Sequence, residues 1–364
     1  MSHALHEPEV IDDYTHGAIV DGRADWRAAD VQDKAGWSHT LSADELERLG
    51  AALAQARAAQ VDIDALSREN FPLPGLQALV DRMLGELEHG SGLFLLRGVP
   101  VGRYTKDELR YLYVGLSRHL GVAMSQSSGG DFIGDVRNFN VDVNSSAGRA
   151  YTSKQKLTFH SDQADVVGLM VLRTAKSGGL SRLASALAIR NEIARTRPDL
   201  LHVLHQPFGW SWQEQQPPGD APWYAQPIYS ERDGRFSSYY IRTHITSAQR
   251  YDDVPRLTPL QLEAMDRIDT LAASDEFNFS TMFQPGDLQF LNNHVILHSR
   301  TAFEDHDDVD QRRHLLRIWL SVPNSRPLHD SMHTLYQDRR AGAVRGGFPS
   351  RDGRRVYETS VSVT

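Results

Sequence analysis

The first residues able to do chemistry lie in the run Leu157-Thr158-Phe159-His160-Ser161-Asp162. Successive side chains of a strand point to opposite faces, so His160 and Asp162 present an imidazole and a carboxylate to the same side and can share one metal ion. A His-x-Asp pair alone is a weak signal. The sequence holds a second, His306-Asp307-Asp308, but it sits in the polar run 304–310, where a solvated acidic loop accounts for it. The first pair instead ends an apolar strand and is followed by another, the rigid setting that a ligand pair needs.

A third ligand has to come from a strand lying alongside. Pro285-Gly286-Asp287 marks a tight turn, and the strand after it leads to His294 and His298. Either can serve on this reading, although a lone histidine is more often a hydrogen-bonded core residue. The segment 313–322 adds cations. Strand alternation puts Leu316, Ile318, Leu320 and Val322 on one face and Arg313, Leu315, Arg317, Trp319 and Ser321 on the other. A guanidinium pointing inward is costly unless a carboxylate meets it, which means either a buried Arg–Asp pair or a ligand held in fork geometry.

Strands must place these groups, and helices must back the strands. Capping boxes at Ser42/Glu45, Thr105/Glu108 and Thr258/Gln261 predict helices starting at each, the last running to about residue 273. A further helix is expected over 76–87 and another over 185–196. Strands are expected at 93–96, 138–143, 156–162, 166–173, 280–283, 288–291 and 313–322. The first forty residues read as an irregular lead-in. The Pro-, Gln- and Trp-rich stretch 207–227 reads as a long loop able to act as a lid, together with 125–154. The Arg- and Gly-rich tail after Leu328 reads as loosely held.

Composition narrows the function classes. Absence of cysteine removes disulfides, thiolate nucleophiles, zinc–thiolate sites and iron–sulfur clusters, so a metal has to use histidine and carboxylate. A formal charge of −8 offers no general attraction to nucleic acid or anionic lipid. No apolar run is long enough to span a bilayer and the first 13 residues lack a signal-peptide core, so a cytoplasmic protein is expected.

Taken in order, His160-x-Asp162, Gly178-Gly179-Leu180-Ser181, Pro285-Gly286-Asp287, His298 and Arg313-x-x-x-Arg317 resemble the taurine dioxygenase family, which includes the chlorophenoxyacetate dioxygenases. The resemblance spans residues 92–323. It implies a mainly β fold with flanking helices, a double-stranded β-helix or cupin-like jelly roll. The implied domains are an N-terminal arm and helices (1–90), the catalytic body with lid insertions (91–328) and a C-terminal tail (329–364). It also implies an Fe(II) centre held by His160, Asp162 and His298, with His294 only a neighbour. The co-substrate is then 2-oxoglutarate, its far carboxylate on Arg317 and Ser181, with Arg313 near the metal-bound end. The segment between His298 and the arginines, 299–312, is longer and more acidic than in the taurine enzymes.

Molecular oxygen and a small polar substrate complete the implied reaction, which releases succinate and carbon dioxide. Asp162 favours hydroxylation or another hydrogen-abstraction outcome over halogenation, because related halogenases lack that carboxylate. Arg242 and Trp212 are the candidate substrate contacts. Nucleic acid and membrane are not expected partners, and self-association stays open. Two rivals share some features. A non-catalytic cupin-like binding protein would have no need of the whole metal set, and a zinc hydrolase gives no reason for inward arginines.

Overall fold

A computed structural model describes residues 17–138, 154–217 and 219–349. Residues 17–40 are more ordered than an irregular lead-in: they form a 3-10 turn at Ala28–Val31 and a strand, β1 (Ser38–Thr40). Ser42 then opens α1 (Ala43–Ala58), its hydroxyl accepting from the Glu45 N–H while the Glu45 carboxylate accepts from the Ser42 N–H. There follow α2 (Gln77–His89), β2 (Leu93–Arg97) and α3 (Lys106–Leu120), the last capped in the same reciprocal way by Thr105 and Glu108. Beyond these come β3 (Val122–Ala123) and β4 (Ile133–Val136). The strand expected at 138–143 falls, past Asn138, outside the described residues.

The metal-candidate region begins with β5 (Leu157–His160) and β6 (Val166–Arg173), then β7 (Ser177–Gly178) and β8 (Ser181–Ser185). Helices α4 (Ala186–Thr196) and α5 (Pro198–Leu204) lead into the stretch expected to be a loop. That stretch instead contains two strands, β9 (Phe208–Ser211) and β10 (Trp223–Gln226), paired antiparallel. Their aromatic side chains supply the reason, since Trp210 and Tyr224 stack and bury against Tyr239. The hairpin β11 (Tyr229–Arg232) and β12 (Arg235–Ser238) follows, then α6 (Arg242–Ala248) and α7 (Pro259–Ala273) with its Thr258/Gln261 box. The chain continues through β13 (Asn278–Thr281), β14 (Leu288–Asn292), β15 (Ile296–Arg300), β16 (Phe303–Glu304), β17 (His314–Ser321) and α8 (His333–Tyr336).

Two sheets organise these strands. The larger runs β1-β2-β14-β6-β17-β3, with β4 also on β17, and the smaller runs β13-β8-β15-β5. Both faces of the larger sheet are covered, which is why β6, β14 and β17 read as nearly unbroken apolar runs. On one face Leu316, Ile318 and Leu320 join Leu53, Met83 and Leu116 of α1–α3. On the other, Leu315 and Trp319 join Phe159, Leu183 and Leu297 of the smaller sheet. The alternation read along 313–322 is therefore realised, with the arginine face turned toward the smaller sheet. Helix α3 comes so close to β6 that a Cβ at Gly168 would lie 2.5 Å from the Tyr113 hydroxyl. At Gly286 the turn needs φ +89° and a Cβ would meet the Val99 carbonyl oxygen at 2.0 Å.

The tail also departs from expectation. Met332, Leu335 and Tyr336 are fully buried, and Arg345 reaches back to Asp165 at 2.8 Å. Its burial rests on that long-range ion pair and on Gly347, whose N–H donates to the Gln163 carbonyl at 2.8 Å. Among the described residues no helix is long and apolar enough to cross a membrane.

Candidate metal centre and its surroundings

Antiparallel pairing of β15 with β5 makes His298 and His160 direct cross-strand partners, with ring centroids 4.2 Å apart. Asp162 lies two residues beyond His160, where its backbone N–H donates to the Asn293 side-chain oxygen at 3.0 Å. One ligand atom from each of the three lies within 4.8 Å of the others. His160 Nδ1 is 2.9 Å from the Thr158 carbonyl oxygen. A carbonyl can only accept, so Nδ1 carries the proton and Nε2 offers its lone pair. Asp162 Oδ2 is buried without a hydrogen bond among the described residues, 3.7 Å from His298 Nε2. A buried carboxylate oxygen is expensive to leave unmet, and a cation between these three groups would meet it.

The electrostatics suit ligation. Burial, followed by the neighbouring His160, pushes the His298 imidazole down to about 3 despite Asp162. Burial likewise lowers His160. Burial works to raise the Asp162 carboxyl, but Arg317, His298 and His160 together hold it below its ordinary range. Two neutral imidazoles and one carboxylate are the forms that bind a divalent metal near neutral pH. His294, the alternative ligand, is turned away: its Nε2 lies 2.9 Å from Asp165 Oδ1 in a separate cluster. His306 to Asp308 are exposed or half-exposed, as a solvated loop should be.

The resemblance gives Arg317 the far carboxylate of the co-substrate and Arg313 the metal-bound end, and the structure sets Arg317 close to Asp162. Arg317 stands beside the metal ligands, Nη1 3.5 Å from Asp162 Oδ1 and its guanidinium 5.1 Å from the Trp319 ring. Arg313 is the remote one. They are four positions apart, roughly 13 Å of extended chain, and a register shift between His314 and Leu315 re-aims the start of β17. Arg313 is buried, packed over Phe303 at 5.2 Å and close against Gly179, and its Nη1 has no hydrogen-bond partner among the described residues. Burial, then the neighbouring Arg300, pushes it down to about 9. Asp305 offsets this only in part, and a buried guanidinium with an unmet Nη1 suits an anion.

Ser181 lies at the same end, its hydroxyl donating to Gln289 at 3.1 Å and its backbone opposite Arg300 in the β15–β8 ladder. Arg300 was not singled out in the sequence, yet its spacing of two from His298 on one strand was a usable signal. Gln126, which bonds Arg317, gave no such signal.

The two candidate substrate contacts are not brought to the metal ligands. Arg242 is taken up by Asp266 and Asp269 of α7, each at 2.7 Å, because α6 and α7 place these charges together. Trp212 is buried against Tyr224 and Phe348 at 4.5 and 6.4 Å. Phe348 in turn meets Trp319 at 5.9 Å, so among the described residues these two rings link Trp212 to the site.

Two histidines on adjacent strands and a carboxylate just beyond one of them form a set able to hold a divalent metal ion. The chain belongs to the taurine catabolism dioxygenase TauD, TfdA family, whose model matches residues 51–319. It is 32% identical over 321 residues to FR-33289 synthase of Streptomyces rubellomurinus, covering 86% of this chain and 94% of that one. It is 28% identical over 287 residues to the taurine hydroxylase-like protein SAT17 of Stachybotrys chartarum, covering 76% and 73%. Solved structures share the fold at low identity. Asparagine oxygenase in complex with Fe(II), 3-hydroxyasparagine and succinate aligns with TM-score 0.61 and 16% identity over 85% of this chain and 100% of that one. The non-haem iron oxygenase OrfP with Fe and alpha-ketoglutaric acid aligns at 0.58 and 18%, over 78% and 93%.

Proposed function

We propose that this protein is an Fe(II)- and 2-oxoglutarate-dependent dioxygenase that oxidises a small polar organic substrate by hydrogen abstraction, most simply to a hydroxylated product. The observation that carries this reading is the convergence of His160, Asp162 and His298 around a buried carboxylate oxygen that has no hydrogen bond among the described residues. When bound, iron and 2-oxoglutarate supply the oxidative decarboxylation that yields succinate and carbon dioxide and the hydrogen abstraction coupled to it. The facing sheets then serve as a double-stranded β-helix over 91–328, preceded by helices that back the larger sheet. A cytoplasmic setting fits this chemistry.

The chain's own residues divide the work. His160, Asp162 and His298 hold the metal on one face, leaving the remaining positions open. Arg313, helped by Ser181 and Arg300, takes the far carboxylate of 2-oxoglutarate, since it is the buried guanidinium remote from the ligands and lacks a protein anion at Nη1. Arg317 lies at the metal end, where it faces Asp162 and the reacting groups. Asp162 and His298 are buried and His160 and Arg317 half-buried, which limits the access of water. The hydroxylated amino acids and succinate held by the asparagine and OrfP enzymes support a small polar acid or amino acid as the substrate class.

The test is succinate release from 2-oxoglutarate under oxygen, with Fe(II), across carboxylates, sulfonates, phosphonates and amino acids. Substrate-dependent succinate formation that needs added iron is expected. Absence of succinate with every compound, in protein shown to bind 2-oxoglutarate, would sink the catalytic reading.

A further inference from the structure

Buried arginine and aspartate side chains ordinarily close into two parallel bonds of about 2.7–2.9 Å. Arg317 and Asp162 do not. Their one contact is 3.5 Å, and Asp162 Oδ2 has no hydrogen bond among the described residues. A restraint that opposes closure lies on the far side of the guanidinium. Gln126, itself buried, grips Arg317 at two points: its Oε1 accepts from Arg317 Nε at 2.7 Å and its Nε2 donates to the Arg317 carbonyl oxygen at 3.0 Å. Nε2 donates as well to the Phe132 carbonyl oxygen at 2.9 Å. Two carbonyl acceptors on one side fix which end of the carboxamide is nitrogen, so Oε1 is held toward Arg317.

The clamp is itself anchored. The Gln126 N–H donates to the Asp131 carbonyl at 2.7 Å, and the neighbouring Ser125 carbonyl accepts from Phe348 N–H at 2.9 Å. Ser128 N–H, two residues on, donates to the Gln215 side chain at 2.8 Å. Neither the loop nor the carboxamide can follow the guanidinium toward Asp162.

We infer that Gln126 is a positioning residue for the metal centre: by holding Arg317 back at Nε, it stops Arg317 and Asp162 from closing as an ion pair and keeps the carboxylate available as a ligand. This rests on the iron reading above. Among the described residues a metal ion then competes for Asp162 with a long Arg317 contact and a weak interaction with the Trp319 side chain, and with no closed ion pair. Without Gln126 it competes with a closed, charge-assisted pair, whose extra hydrogen bond corresponds to about tenfold to a hundredfold in affinity.

The experiment is an anaerobic Fe(II) titration of the full chain, which needs no turnover. Wild type and Asp162→Ala bracket it, and if wild type binds no iron, or Asp162→Ala binds it equally well, the iron reading itself falls. Given that bracket, Gln126→Leu is expected to weaken Fe(II) binding about tenfold to a hundredfold. Combining Gln126→Leu with Arg317→Leu removes the cation that would close on Asp162, and affinity should return toward wild type. The inference alone is overturned if Gln126→Leu binds iron as wild type does, or if the double variant is no better than Gln126→Leu.

Discussion

Asp162, His298 and Arg317 use the same residue types as Asp165, His294 and Arg345, and the aspartates and histidines of the two groups are only three and four positions apart. Around Asp165 every position is filled. Oδ1 accepts from Arg345 Nε at 2.8 Å and pairs with His294 Nε2 at 2.9 Å, while Oδ2 accepts from the Ser321 hydroxyl at 3.1 Å and the Val322 N–H at 3.2 Å. Around Asp162, among the described residues, Oδ1 has one long contact to Arg317 at 3.5 Å and Oδ2 has only the His298 imidazole at 3.7 Å, too far for a hydrogen bond. A carboxylate with four donors is spent on structure, here on pinning residues 340–349 to the sheets. A buried carboxylate left half-met is a ligand waiting for a cation. The difference between the groups is therefore hydrogen-bond completeness, not residue type.

Substitutions at the two aspartates should separate these roles most sharply. Asp162→Ala is expected to abolish substrate-dependent succinate formation while melting close to wild type. Asp165→Ala leaves the fully buried Arg345 guanidinium without its carboxylate, a loss of about 3–5 kcal/mol that urea unfolding would report. A stable Asp165→Ala protein would break the comparison from the structural side.

The arginines give the next largest effect. Arg313→Ala should weaken 2-oxoglutarate binding to the iron-loaded protein by roughly two to three orders of magnitude, the loss for one partner of a buried pair. Arg317→Ala should affect that binding less. Equal losses, or a larger one for Arg317, would restore the order that the resemblance implied.

Acid should reach the closed cluster through Asp165. Burial opposes its ionisation, but Arg345 and His294 outweigh it and hold the carboxyl down to about 2 from an ordinary 3.8. A carboxyl lowered in the folded state contributes stability that is complete above its ordinary value and is lost as pH falls through the folded value. Wild type should thus shed this contribution between about pH 4 and pH 2, and a denaturation series in Asp165→Asn should show a flatter dependence in that window. The smallest effect belongs to Arg242→Ala. Its partly exposed pairs with Asp266 and Asp269 are worth about 1 kcal/mol or less, and the KM for substrate should not move. A raised KM would return Arg242 to the site.

Local chemistry explains what could be read from the sequence. Each capping box is complete within four residues, and the faces of 313–322 follow from strand alternation alone, so Ser42, Thr105, Thr258 and Arg317 were legible. His160 and Asp162 were legible for the same reason. The tail was not, because Arg345 acquires its partner 180 residues away. Nor was the order of the arginines, which depends on a register shift at His314 and on Gln126, 191 residues from Arg317. The two strands within 207–227 were hidden by prolines and glutamines flanking aromatic residues that bury only once Tyr239 arrives.

The most direct test sets the two histidines against each other by anaerobic Fe(II) titration. His298→Ala removes an imidazole that faces Asp162 Oδ2, whereas His294→Ala removes one already committed to Asp165. Iron affinity is expected to fall steeply in His298→Ala and to remain near wild type in folded His294→Ala. Equal affinities in the two variants, or loss only in His294→Ala, would contradict the assignment of the metal centre to His160, Asp162 and His298.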